Sequence, residues 1–174
     1  WRYLTDEVLD FATHHGFAVA QFNRTLFAPD RYADSRRGGL YDLFNAPAFG
    51  AISAWAWGYR CAVDALEQIA GSDQRINADR IGVVGHSRGG KTVLLAAAVD
   101  RRIGAVVSNC SGCGGAGSHK ILTPGCERLA DILKTMHYWF GPDLPKYIGR
   151  EDELAFDQHV LLAAIAPRPL LLAE

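Results

Sequence analysis

Short apolar runs at 17–22, 81–84, 103–107 and 169–173 alternate with longer segments of helical periodicity at 4–15, 52–69, 91–99, 129–136 and 157–166. Near-continuous apolar strands separated by helices demand a mostly parallel sheet covered by helices on both faces, because a parallel strand can only be reached through a crossover. Individual segments fit this order. Leu4, Val8, Phe11 and Ala12 share one face before Gly16, and Trp55, Tyr59, Ala62, Leu66 and Ile69 form a second stripe. Residues 24–50, rich in charge, Gly and Pro, read as a long excursion. The chain has 174 residues, one domain's worth, and the reading is a single α/β domain over 1–174.

The run at 81–84 leads into Gly85-His86-Ser87-Arg88-Gly89, and a helix follows. A G-x-S-x-G between strand and helix forces its serine into a tight corner at the carboxyl edge of the sheet, where ligands gather. The hydroxyl then stands clear, and the next backbone N–H faces a developing oxyanion. Ser87 is the candidate nucleophile; the alternative is a serine that caps the helix. Arg88 and Lys91 lie within one turn of it. Cations at a helix N-terminus oppose the dipole, so the pair points to an anionic or oxygen-rich ligand rather than to two solvated charges.

Other classes find little support. With 18 basic and 19 acidic residues the net charge is −1, which gives no reason to expect nucleic acid or an acidic membrane surface as partner. The longest apolar stretch, 161–173, is broken by Pro167-Arg168-Pro169 and does not suit a bilayer. Cys61, Cys110, Cys113 and Cys126 contain a single CxxC, so a zinc site is not expected and they read as small thiols or one optional disulfide. Asp157 suits a helix N-cap, and Trp139 and Phe140 read as core, with the floor of the cleft as their alternative.

These residues resemble the glucuronoyl esterases, carbohydrate esterase family fifteen, of bacterial type. The likeness runs in order through Gly16-Phe17-Ala18-Val19-Ala20 with Asn23, Leu43-Phe44 with Ala51–Gly58, Gly85–Lys91, Asn109–Ala116, Tyr138-Trp139-Phe140, Phe156–His159 and Ala166–Pro169. The resemblance implies an α/β-hydrolase, a three-layer fold, that cleaves esters of 4-O-methyl-glucuronic acid on xylan with lignin alcohols. It implies Ser87 as the acylated serine, Arg88 as oxyanion stabiliser, Lys91 and Glu127 as sugar contacts, no metal or organic cofactor, and an extracellular or periplasmic setting. Glu127 equally suits a carboxylate favouring a helix dipole.

Two departures bear on mechanism. Cys110 stands where fungal relatives carry a catalytic Glu, and His86 where they carry a cysteine beside the serine. The histidines within the chain read as structural or solvated, so the acid and the catalytic His are expected beyond Glu174. The start at Trp1 and the strand-like end at 170–174 read as a partial domain that needs further segments to complete its sheet and, alone, associates. An acetyl-xylan or general carboxylesterase on the same fold, and a non-catalytic carbohydrate-binding relic, are the alternative functions.

Overall fold

The computed structural model describes residues 4–45 and 47–173; Trp1 and Glu174, the chain's ends, lie outside them. Helix α1 (Asp6–His14) starts at Thr5, whose hydroxyl accepts the Val8 N–H at 3.4 Å. Gly16 at φ 79° then turns the chain away. Helix α2 (Ala51–Ala70) leads to strand β1 (Ile81–His86), helix α3 (Arg88–Val99) and strand β2 (Ile103–Asn109). Helices α4 (Leu129–Met136) and α5 (Gln158–Ala163) and strand β3 (Leu170–Ala173) follow. The expected long excursion holds three short 3-10 turns, at Arg24–Leu26, Tyr32–Asp34 and Gly39–Leu43.

The strands pair in parallel in the order β1-β2-β3, with Val83 opposite Val106 and Val107 opposite Leu171. The run at 17–22 is not a strand: it carries no ladder, and Phe17 is 68% exposed. Apolar composition favours a strand only where a neighbour completes its hydrogen bonds, and 17–22 has none among the described residues.

Helix α3 is buried almost all round, through Lys91, Thr92, Val93, Leu94, Ala96 and Ala97. It packs against β1, β2 and α2. Val83, Ile103 and Val106 meet it from the sheet, Ala56 and Val63 from α2, and Ile165 from the turn after α5. The α2 stripe predicted to run as far as Ile69 is buried chiefly in its first half; Ile69 is exposed.

A second core packs α2 against the excursion, α4 and the turn at His137–Trp139, with Trp55 at its centre. The Trp55 indole donates to the Ala28 carbonyl at 2.8 Å. Gly50, at the start of α2, presses against the Trp139 carbonyl so closely that a Cβ would sit 2.2 Å from it. Before β3, Arg168 Nη1 donates to the Asp100 and Ile103 carbonyls at 3.1 and 2.9 Å, which ties this strand's entry to the start of β2.

Candidate active site

Ser87 occupies the corner between β1 and α3 with φ 54° and ψ −118°, a conformation that non-glycine residues adopt only under constraint. Its backbone N–H donates to the Asn109 carbonyl at 2.8 Å. Its side chain makes no cap bond to α3, so the helix-capping alternative is excluded. Arg88 is the first residue of α3, and its N–H belongs to the opening turn, whose amides have no acceptor within the helix.

The glycines around this corner are not equivalent. A Cβ on Gly85 would lie 2.2 Å from the Gly89 carbonyl oxygen, and one on Gly90 would lie 2.9 Å from Ser108 Oγ. Gly89 has nothing within 4 Å of that position. The close approaches therefore fall at Gly85 and at Gly90, one residue past the pentapeptide.

Both cations near Ser87 are held by protein groups. Arg88 Nη1 donates to Asp30 Oδ2 at 2.7 Å, and its guanidinium carbon stands 5.2 Å from the centre of a Trp139 ring. Trp139 is thus core, as predicted, and at the same time the platform under Arg88. Lys91 is 4% exposed and donates to the Ser111 carbonyl. The solvated-charge reading fails for Lys91.

The loop after β2 curls to make that acceptor available. Gly112 and Gly114 take φ of 50° and 75°, and Ala116 N–H donates to Ser111 Oγ at 3.0 Å. Glu127 is exposed, with Oε2 3.9 Å from the point where a Cβ on Gly112 would sit. Lys91 and Glu127 thus approach the same loop from different elements. Cys110, also at positive φ, donates its N–H to the Ala173 carbonyl at 2.6 Å and is exposed. All four cysteines are free thiols.

Among the described residues no histidine is hydrogen-bonded to the Ser87 hydroxyl. His14 and His15 bond to carbonyls one turn back on α1, at 2.7 and 2.8 Å. His119 is buried, its Nδ1 3.7 Å from Cys113 Sγ, and burial lowers its pKa. His137 packs edge-on to Tyr32, while His86 and His159 are exposed. Asp157 caps α5, as predicted, and also gathers the N–H groups of His119 and Lys120 and the Ser118 hydroxyl. No group of three or more His, Cys, Asp or Glu suited to a metal occurs among the described residues.

Asp30 was not legible as a site residue. It stands in the excursion beside Pro29, outside any motif, and reaches Arg88 across 58 positions of sequence.

The family model for glucuronyl esterase, fungi, matches residues 4–174. The 4-O-methyl-glucuronoyl methylesterase of Podospora anserina is 36% identical over 166 residues, covering 91% of this chain and 34% of the relative. The glucuronoyl esterase catalytic domain from Hypocrea jecorina superposes with a TM-score of 0.80 at 31% identity, over 91% of this chain and 47% of that one. A serine-to-alanine variant of the Sporotrichum thermophile glucuronoyl esterase, in complex with methyl 4-O-methyl-β-D-glucopyranuronate, gives 0.78 at 28% identity, over 90% and 46%. The chain spans between 27% and 42% of the length of the curated relatives it matches.

Proposed function

The chain belongs to the glucuronoyl esterase family and has its α/β-hydrolase fold, and from that premise we propose that Ser87 is the nucleophile of an esterase acting on 4-O-methyl-glucuronate esters. The observation that carries this reading is the Ser87 corner itself. A serine at φ 54°, directly after a strand and uncommitted to its helix, is arranged to present its hydroxyl rather than to finish a helix end.

In the proposed mechanism, Ser87 Oγ attacks the uronate carbonyl carbon and its proton passes to a general base. The tetrahedral oxyanion is met by the Arg88 N–H at the start of α3 and by the Arg88 guanidinium. The ester C–O bond then breaks, the alcohol leaves with a proton, and water releases the uronic acid from the acyl-enzyme. Lys91 and Glu127, which approach the same loop, hold sugar hydroxyls. An acetyl group offers these two residues nothing to bind, and this distinguishes the reading from a general carboxylesterase.

The relative bound to methyl 4-O-methyl-β-D-glucopyranuronate supports the substrate class, and that its serine was replaced by alanine supports a serine mechanism. The polymer on this reading is glucuronoxylan esterified to lignin alcohols, which places the work outside the cytoplasm. Hydrolysis of benzyl glucuronate by the full-length protein tests it. Ser87→Ala is expected to lower turnover by at least about a thousandfold. Unimpaired turnover in that variant excludes the mechanism. Tight sugar binding by a full-length protein that cleaves no ester favours a carbohydrate-binding role instead.

A further inference from the structure

Four side-chain donors converge on Asp30. Arg24 Nη2 and Arg88 Nη1 share Oδ2 at 2.8 and 2.7 Å, while Trp139 Nε1 and Tyr138 OH share Oδ1 at 3.0 and 3.2 Å. The carboxylate side chain is 7% exposed. Burial alone pushes its pKa up, but the bonds from Arg24, Arg88 and Trp139 outweigh that and hold it below the ordinary value, so the group stays ionised.

The carboxylate is itself held in place. Ala28, two residues earlier, is fully buried and accepts the Trp55 indole N–H. Arg24 lies over the Trp55 ring, 5.0 Å from its centre. Asp30 therefore belongs to the packed layer between α2 and the turn at His137–Trp139, not to a loose loop.

Arg88 differs from its neighbours in this cluster. Its side chain is 40% exposed, and a long exposed arginine ordinarily samples many rotamers. Here the carboxylate and the Trp139 face select one of them before any ligand arrives. Two guanidiniums against one carboxylate leave a net charge of +1 (two minus one) in the cluster. The bond to Asp30 uses Nη1 of a fork that carries five N–H donors, so pairing orients the guanidinium without neutralising the cluster. Such pre-set positive charge is what stabilises an oxyanion at no reorganisation cost during reaction.

We propose that Asp30 is a positioning residue for ester cleavage, acting through Arg88 by holding its guanidinium against Trp139 beside the Ser87 corner. The proposal rests on the reading of Arg88 as oxyanion stabiliser.

The test is a double-mutant cycle in the full-length protein with Asp30→Asn, which keeps the shape of the side chain, Arg88→Ala, and both together. Arg88→Ala is expected to lower kcat by about a hundredfold, as loss of one oxyanion donor does. Asp30→Asn should lower kcat by roughly tenfold or more with KM changed less than about threefold, and should cost nothing further in the Arg88→Ala background. Unchanged kcat in Asp30→Asn, or the same proportional loss in both backgrounds, overturns the proposal.

Asp30→Asn leaves Arg24 without its counter-charge, so Arg24→Met with Asp30→Asn serves as a second, charge-balanced variant and should show the same loss of kcat. Labelling of Ser87 by a fluorophosphonate, in which the serine oxygen bonds phosphorus and fluoride leaves, repeats the cycle without any sugar. A wild type that labels readily but ignores glucuronate esters refutes the substrate reading, while the labelling rates of the variants still decide the role of Asp30.

Discussion

The Ser87 backbone N–H reaches the Asn109 carbonyl at 2.8 Å, binding the corner after β1 to the last residue of β2. The corner that carries Ser87 and the loop that carries the Lys91 acceptor therefore share one anchor. Displacement of either strand end moves both. This is how a site assembled from separate loops keeps a common frame, and fixed geometry at the reacting atoms is worth several orders of magnitude in rate.

Ser87 stores strain that glycine would not. Ser87→Gly is expected to raise stability by about 1 kcal/mol, because glycine reaches this φ and ψ freely. Ser87→Ala keeps a Cβ and should melt close to the wild type. Thermal unfolding of the three proteins checks the order, and a Ser87→Gly variant less stable than Ser87→Ala contradicts a strained corner.

The two glycines of the pentapeptide should respond in opposite ways. Gly85→Ala drives a Cβ into the Gly89 backbone and should cost several kcal/mol, or prevent folding. Gly89→Ala meets no atom within 4 Å and lies in α3, where alanine is the better helix former. It should be neutral or stabilise by up to about 1 kcal/mol. Urea denaturation distinguishes the two.

Asp157 makes acid stability a local matter. Burial opposes ionisation of its carboxyl, but the Ser118 hydroxyl and the N–H groups of His119, Gln158 and Lys120 prevail and hold it well below the usual carboxylate range. The folded pKa lies under the unfolded value of about 3.9, so this contribution is complete above about pH 5 and is lost as pH falls toward the folded value. Asp157→Asn should destabilise by about 1–3 kcal/mol at pH 7 and by less at pH 3. Unfolding curves at the two pH values test this; a constant difference would contradict it.

The thiols should react in a definite order. Burial, reinforced by the Glu127 charge and opposed by Lys91, pushes the Cys113 thiol up to about 12. Cys126 is exposed, and its bond with Thr123 lowers its pKa. Thiolate is the reactive form, so iodoacetamide at neutral pH should modify Cys126 and spare Cys113 until the chain unfolds. Peptide mass spectrometry gives the order directly.

What could be read from sequence follows the range of the interactions. β1, α3 and β2 were legible because their apolar periodicity reports burial against near neighbours in the chain, and the Ser87 corner because strand, turn and helix are contiguous. The run at 17–22 misled for a physical reason, since its apolar residues resemble a strand while pairing depends on a partner that local composition does not reveal. Asp30 was hidden for a related reason: Arg88, Tyr138 and Trp139 lie 58, 108 and 109 positions away, and no local pattern encodes such a meeting. That Lys91 is almost wholly buried, with its amine on the Ser111 carbonyl, follows from α3 being enclosed on nearly every side, which a charge within one turn of Ser87 does not reveal in sequence.

That enclosure has a consequence for how the protein can change. With α3 enclosed by the sheet, α2 and α5, the serine at its head is set by the core of the molecule, whereas Glu127 and the glycine-rich turn belong to connecting segments. On the proposed esterase reading, substrate preference can drift by rewriting those segments one at a time, as a tool changes its bit while the chuck stays closed. A substitution under α3, however conservative, would be felt first as lost rate.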